Sequence, residues 1–167
     1  MRSLLVAVVI GLATVGAATS AAPTTDCRAT RTTTMVNRFI VAFNRGDRAA
    51  LNNQIWGGKL YFNWYSVTAE PGMRVDSDAR RRNTLMKYFA TRHAAGEHLA
   101  LTNLKLNGVT ANAYRNFEFQ LLRNANDQPG GPLRYEGKGA TSCVTGRLIT
   151  WVMTPSTKPE LRPGPGG

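Results

Sequence analysis

General acid–base chemistry needs a carboxylate or an imidazole held where its proton can reach a substrate, usually in a dry pocket. This chain of 167 residues offers ten acidic residues and two histidines. The candidates are Glu118 and Glu136 in strand-like segments, His98 at a strand entrance, His93 near a helix end and Asp47 before a helix. By alternation Glu118 points opposite to Phe117 and Phe119. If the phenylalanines face the helices, Glu118 faces solvent or a partner chain. Capping accounts for Asp47, and pairing or solvation accounts for the histidines, so no catalytic residue is assigned. No G-x-S-x-G run, cysteine–histidine pairing or phosphate-binding glycine loop is present, and Gly137-x-Gly139 is only two glycines. Two cysteines and two histidines lack ligand-like spacing, so no metal or cofactor is implied.

The aromatic residues are the better lead. Trp56, Phe62, Trp64, Tyr88, Phe117, Phe119 and Trp151, together with Phe89, sit on segments that can converge on one interior. They are the candidate lining of an apolar pocket for a hydrophobic small molecule. Filling a core is the simpler role for most of them. The run Arg80-Arg81-Arg82 opens a helix-like segment. Arg82 is in phase with Leu85, Met86 and Phe89, so it either reaches inward toward a carboxylate or an anionic ligand, or snorkels to the surface.

Lysine and arginine outnumber aspartate and glutamate 21 to 10, for a net charge of +11. That favours solubility and attraction to anions: acidic polymers, membrane surfaces or nucleic acid. The arginines are scattered, which speaks for a solvated basic surface and against a nucleic-acid interface.

Residues 1–22 read as an export signal. Met1-Arg2 gives a positive start, residues 4–17 are uncharged and mostly apolar, and small residues follow through Ala22. The run is shorter than the ~20 residues that span a bilayer; the alternative to cleavage is a retained N-terminal anchor. The expected destination is therefore secreted, on the exterior of a bacterial-type cell envelope. An oxidising compartment permits a disulfide between Cys27 and Cys143, the alternative being two separate thiols.

These residues need elements to position them. Residues 23–31 read as an extended arm. Thr32-Thr33-Thr34 supplies an N-cap for a helix with Met35, Val36, Phe39, Ile40 and Phe43 on one face, stopped by Gly46. Asp47 caps a second helix with Ala50, Leu51 and Ile55 inward. Residues 60–68 read as a strand. Ser77 or Asp76 is expected to cap a long helix reaching His93, with Gly96 as its stop. Four strands follow, over residues 99–107, 113–123, 135–143 and 147–154, with Asn107-Gly108 as the first turn. Gly137 and Gly139 suggest a bulge or sharp bend. Residues 155–167 hold four prolines and three glycines and read as a disordered tail. Helices early and strands late predict an α+β domain over residues 32–154, with a mainly antiparallel sheet.

The run from Phe39 through Asp47, followed by Ala49-Ala50-Leu51, resembles the opening of the nuclear-transport-factor-two-like (SnoaL-like) superfamily: a helix ending in Phe-Asn-x-Gly-Asp, then a second helix. Phe62-Asn63-Trp64-Tyr65-Ser66 resembles its first strand, and Gly137-Lys138-Gly139-Ala140 with Ile149-Thr150-Trp151-Val152-Met153 its closing hairpin. The resemblance implies a cone-shaped fold, a strongly bent sheet wrapped around the N-terminal helices. Members include isomerases, dehydratases, cyclases and hydrolases as well as modules without chemistry, so the fold does not choose among them. Three readings follow: an exported, non-catalytic module that binds a small molecule or a protein, with a homodimer formed through the exposed sheet face; an enzyme acting on a hydrophobic small molecule; and a binder of anionic polymer.

Overall fold

The computed structural model describes residues 27–55, 63–67, 75–79, 82–128 and 130–156. The expected leader, the Pro/Gly-rich tail beyond Ser156, Trp56, Phe62, Arg80 and Arg81 lie outside the described residues. The first helix, α1 (Ala29–Arg45), starts earlier than the threonine run predicts. Arg28 is its N-cap residue and no side chain caps it. Thr32 is used differently: it is buried, and its hydroxyl lies 3.1 Å from that of Thr141. The expected arm over residues 23–31 is thus partly helical.

The Phe43-Asn44-Arg45-Gly46-Asp47 run earns its pattern residue by residue. Gly46 takes the left-handed φ of 62° that ends α1, and a Cβ there would strike the His93 ring. The Asp47 carboxylate accepts from the Ala50 N–H at 2.9 Å and caps α2 (Arg48–Gln54). The Asn44 amide clasps the backbone of Leu99, accepting from its N–H and donating to its carbonyl, both at 2.8 Å. Three consecutive needs, a helix stop, a helix start and an anchor for a distant strand, are met within four residues.

Two strands follow, β1 (Asn63–Val67) and β2 (Val75–Ala79), paired antiparallel. Here the structure corrects the reading of Asp76 and Ser77 as helix caps. They lie in β2, and the next helix, α3 (Arg82–Ala94), begins only at Arg82. Asp and Ser are poor strand formers, and the pairing with β1 overrides that preference. Leu85, Met86 and Phe89 face inward from α3 as predicted, and Gly96 stops it in a left-handed conformation.

The remaining strands are β3 (His98–Val109), β4 (Tyr114–Asn124), β5 (Leu133–Ser142) and β6 (Leu148–Pro155). The six-stranded sheet has the order β2-β1-β6-β5-β4-β3. All neighbours are antiparallel except β1 and β6. The chain is an α+β protein with a curled, mostly antiparallel sheet around its N-terminal helices.

Asn107-Gly108 is not a turn, contrary to the sequence reading. β3 runs through it, and the hairpin closes between Thr110 and Tyr114. The Asn107 amide donates to Glu118 and its carbonyl accepts from Arg115, so the cross-strand partners hold it in the strand. Nor do Gly137 and Gly139 mark a bulge. They sit in register opposite Phe119 and Phe117, and the irregularity comes later, between Ala140 and Thr141. A Cβ at either glycine would run into the facing ring. The glycines are there so that two aromatic rings can lie against the backbone of β5.

Cys27 and Cys143 form a disulfide, with Cα atoms 4.7 Å apart. It ties the start of α1 to the β5–β6 connection. Arg115 Nε donates to the Cys27 carbonyl at 2.8 Å and Arg31 Nη1 to that of Cys143 at 2.9 Å.

Candidate functional site

The described interior is built around Trp151, which is fully buried. Its indole stacks on Phe119 with centroids 4.0 Å apart, and lies 5.1 Å from Phe39 and 6.1 Å from Phe117. Phe89 meets Phe43 edge-on at 5.6 Å and closes the cluster from α3. Of the aromatic residues expected to line a pocket, Phe117, Phe119 and Trp151 therefore lie in this packed cluster. Tyr88 is half-buried beside Phe89. Trp64 lies in β1, in register beside Trp151 of β6.

Arg82 turns back to α2: it donates to the Asn52 carbonyl at 2.6 Å and the Ile55 carbonyl at 3.2 Å. These are carbonyls at the end of a helix, which carry partial negative charge. That neutral partner differs from the carboxylate or ligand foreseen for an inward-reaching arginine. Glu118 is exposed on the sheet face turned away from the helices, beside Lys105 at 3.5 Å and Asn107 at 3.1 Å. Glu136 accepts from the Ser156 hydroxyl at 3.5 Å. His98 lies 3.1 Å from the Asn44 amide nitrogen, and His93 supports the end of α1.

The most concentrated buried charge is one that sequence reasoning passed over. Glu97 follows the Gly96 stop, and its side chain is fully buried. Its carboxylate accepts from Arg92 Nε and, in bidentate fashion, from Arg123 Nε and Nη2 at 2.9 and 3.0 Å. Arg123 is also buried and reaches the Tyr135 hydroxyl and the Ser66 hydroxyl, both at 3.3 Å. Arg92 forks onto Asp127 at 2.7 and 2.8 Å. The hydrogen bonds from Arg92 hold the Asp127 carboxyl below the usual carboxylate range, and Asp127 in turn raises the Arg92 guanidinium above its ordinary value. Two carboxylates balance two guanidinium groups. Both oxygens of Glu97 are spent on arginines, so neither is presented to a substrate. The only sequence cue was Arg123 in phase with the inward Phe117, Phe119 and Leu121 of β4.

Among the described residues no group of three His, Cys, Asp or Glu side chains is placed to hold a metal ion. No described helix is long and apolar enough to cross a membrane. The surface depressions among the described residues include two of note. One, of about 370 Å³, lies on the outer sheet face, around Lys105, Glu118, Glu136, Lys138 and Val152. The other, of about 490 Å³, lies where α1 begins.

No model of a known protein family matches the chain, and no curated protein matches it. Solved structures do. An NTF2-like protein of unknown function from Mesorhizobium loti superposes with a TM-score of 0.55 at 16% identity, over 78% of this chain and 95% of that one. The epoxide hydrolase/cyclase-like enzyme SalBIII, of pyran-ring formation in salinomycin, gives 0.51 at 11% identity, over 77% and 92%. The fold is nuclear-transport-factor-two-like. A third match, to the orange carotenoid protein of Anabaena binding canthaxanthin, gives 0.57 at 9% identity, over 75% of this chain but only 36% of that one. These identities establish the NTF2-like architecture alone, and chemistry has to be argued from the residues of this chain.

Proposed function

We propose that this protein is an exported, non-catalytic interaction module, whose cone interior serves as its core and whose outer sheet face meets a second copy of the chain. The observation that carries the reading is the state of Glu97: the best-buried carboxylate of the described interior has both oxygens occupied by arginines. A general acid or base needs an oxygen within reach of the proton it moves.

The outer face supports the choice of partner. Lys105, Glu118 and Lys138 stand in register across β3, β4 and β5, so the charge alternates in sign along the row. With a two-fold axis midway between Lys105 and Glu118, such a row sets Lys105 against the second copy's Glu118 and Glu118 against its Lys105. Export is supported by the leader-like residues 1–22 and by the disulfide, which belongs to an oxidising compartment.

Sedimentation of the oxidised protein without residues 1–22 tests the reading. A dimer is expected, and Glu118→Lys, which turns the row into three like charges, is expected to give monomer with an unchanged fold. A wild-type monomer at high protein concentration overturns it. A second reading, a hydrophobic small molecule held by the aromatic residues near Trp64 and Tyr88, draws on the carotenoid-binding structure of the same fold. Native mass spectrometry showing one defined apolar compound on protein from its own host favours that reading. Turnover of such a compound favours the third, an isomerase, dehydratase, cyclase or hydrolase.

A further inference from the structure

The depression at the start of α1 has a different character from the sheet face. Four arginines line it: Arg28, Arg31 and Arg38 from the α1 segment and Arg147 from the β5–β6 connection, with Thr30 and Thr34 between them. None of its described lining residues is acidic. Arg38 and Arg147 are exposed, and among the described residues neither guanidinium is ion-paired.

The remaining features hold Arg31 and the groove's backbone in place. Gly146 is left-handed, with a φ of 69°. A Cβ there would lie 2.7 Å from Arg31 Nε, so the missing side chain is what lets that guanidinium lie across the turn. The disulfide one helical turn away fixes the two walls relative to each other, and Arg31 bonds the carbonyl of Cys143 itself. The helix end points the same way: Arg28 leaves α1 without a side-chain cap, and its first turn holds no acid. Its partial positive charge adds to that of the arginines.

We infer that this groove binds the phosphate group of a soluble phosphate ester or diphosphate. Planar guanidinium groups fork onto phosphate oxygens, which a scattered basic surface does not do. Asn53 and Gln54 line the same depression and offer amide groups to hydroxyls on the body of such a ligand. The site lies apart from the sheet face, so its failure leaves the proposed function standing.

The test uses the oxidised protein without residues 1–22, titrated with sodium pyrophosphate, inorganic phosphate or glycerol phosphate by calorimetry. Sodium chloride of matched ionic strength is the reference, and Arg38→Gln, Arg147→Gln and Arg48→Gln are the variants. Arg48 is exposed on α2 outside the groove lining, so it controls for net charge. One saturable site is expected. Arg38→Gln and Arg147→Gln should each weaken pyrophosphate about tenfold, the scale of one charge-assisted contact, with Arg48→Gln within about twofold. Equal weakening by all three variants, or no heat beyond the chloride reference, overturns the inference. So does binding seen only with phosphatidylglycerol vesicles, which places the phosphate on a membrane.

Discussion

Replacing Glu97 by glutamine removes the carboxylate that pairs in bidentate fashion with Arg123. Glutamine keeps the shape and one acceptor oxygen but turns an NH₂ toward a guanidinium, so donors face donors. Three charge-assisted hydrogen bonds are weakened or lost. Arg92 retains Asp127, whereas Arg123 loses its bidentate carboxylate and keeps weaker contacts, among them two hydroxyls at 3.3 Å and the Tyr135 ring. With side-chain exposures of 0% for Glu97 and 3% for Arg123, water cannot take over. Breaking a buried pair from one side costs about 3–5 kcal/mol, and the retained oxygen puts the expectation near ~3 kcal/mol. For a domain of this size that is a fall in Tm of roughly 10 °C. Urea unfolding of the oxidised protein measures it as a lower midpoint at unchanged slope. The double variant Glu97→Leu with Arg123→Met removes both charges and should regain most of the loss, to within about 1 kcal/mol of wild type. A cost below about 1 kcal/mol for Glu97→Gln refutes the reasoning. So does a double variant as damaged as the single one.

Three further outcomes follow from the same geometry. Asp127→Asn should cost only about 0.5–1 kcal/mol at neutral pH, because its side chain is 55% exposed. The Asp127 carboxyl is depressed in the folded state, so its contribution is present above the unfolded value of about 3.9 and fades as pH falls through the folded one; a penalty that grows as pH falls below the unfolded value contradicts this. Gly137→Ala and Gly139→Ala should each destabilise by about 1–3 kcal/mol through collision with the Phe119 and Phe117 rings and with the Val152 and Thr150 backbone carbonyls of β6, and Phe119→Leu should leave much of the Gly137→Ala loss in place in thermal melts, because the Val152 carbonyl remains. Reducing the disulfide, whose cysteines are 116 residues apart, should cost up to about 5 kcal/mol; an unchanged Tm with dithiothreitol argues against it.

Amphipathic α1 was legible because its inward side chains repeat at helical spacing, and β4 because Phe117, Phe119 and Leu121 alternate with polar residues. Glu118 pointing away from them followed from that alternation alone. Elements whose identity is decided by distant partners were not legible. β2 carries Val-Asp-Ser-Asp-Ala, a helix-capping sequence that becomes a strand because β1 lies beside it. Asn107-Gly108 has hairpin-turn chemistry, yet Glu118 and Arg115 hold it in β3. The pairing of Glu97 with Arg123 crosses 26 residues between a loop and a strand end, and no local period announces it. Gly137 and Gly139 were noticed for an absent side chain, but the bulge offered as one consequence is not there. The space they leave is filled from β4, a spacing of two residues on one strand matched by two on the other only once the register is known.

The division between interior and surface follows from what occupancy would cost. A ligand entering the aromatic cluster itself displaces a ring that is already buried: Trp151 stacked on Phe119, or Phe89 edge-on to Phe43. Exposing one such side chain forfeits about 1.5–3 kcal/mol before any ligand contact forms. Displacing Arg123 instead would break a bidentate pair that water does not reach. The sheet face and the arginine groove ask for neither. Their charged side chains are already in water, and a partner exchanges hydration for oppositely charged contacts without dismantling the core. The packed aromatic cluster is thus the costlier place for a partner to enter, which favours contacts on the outer charges.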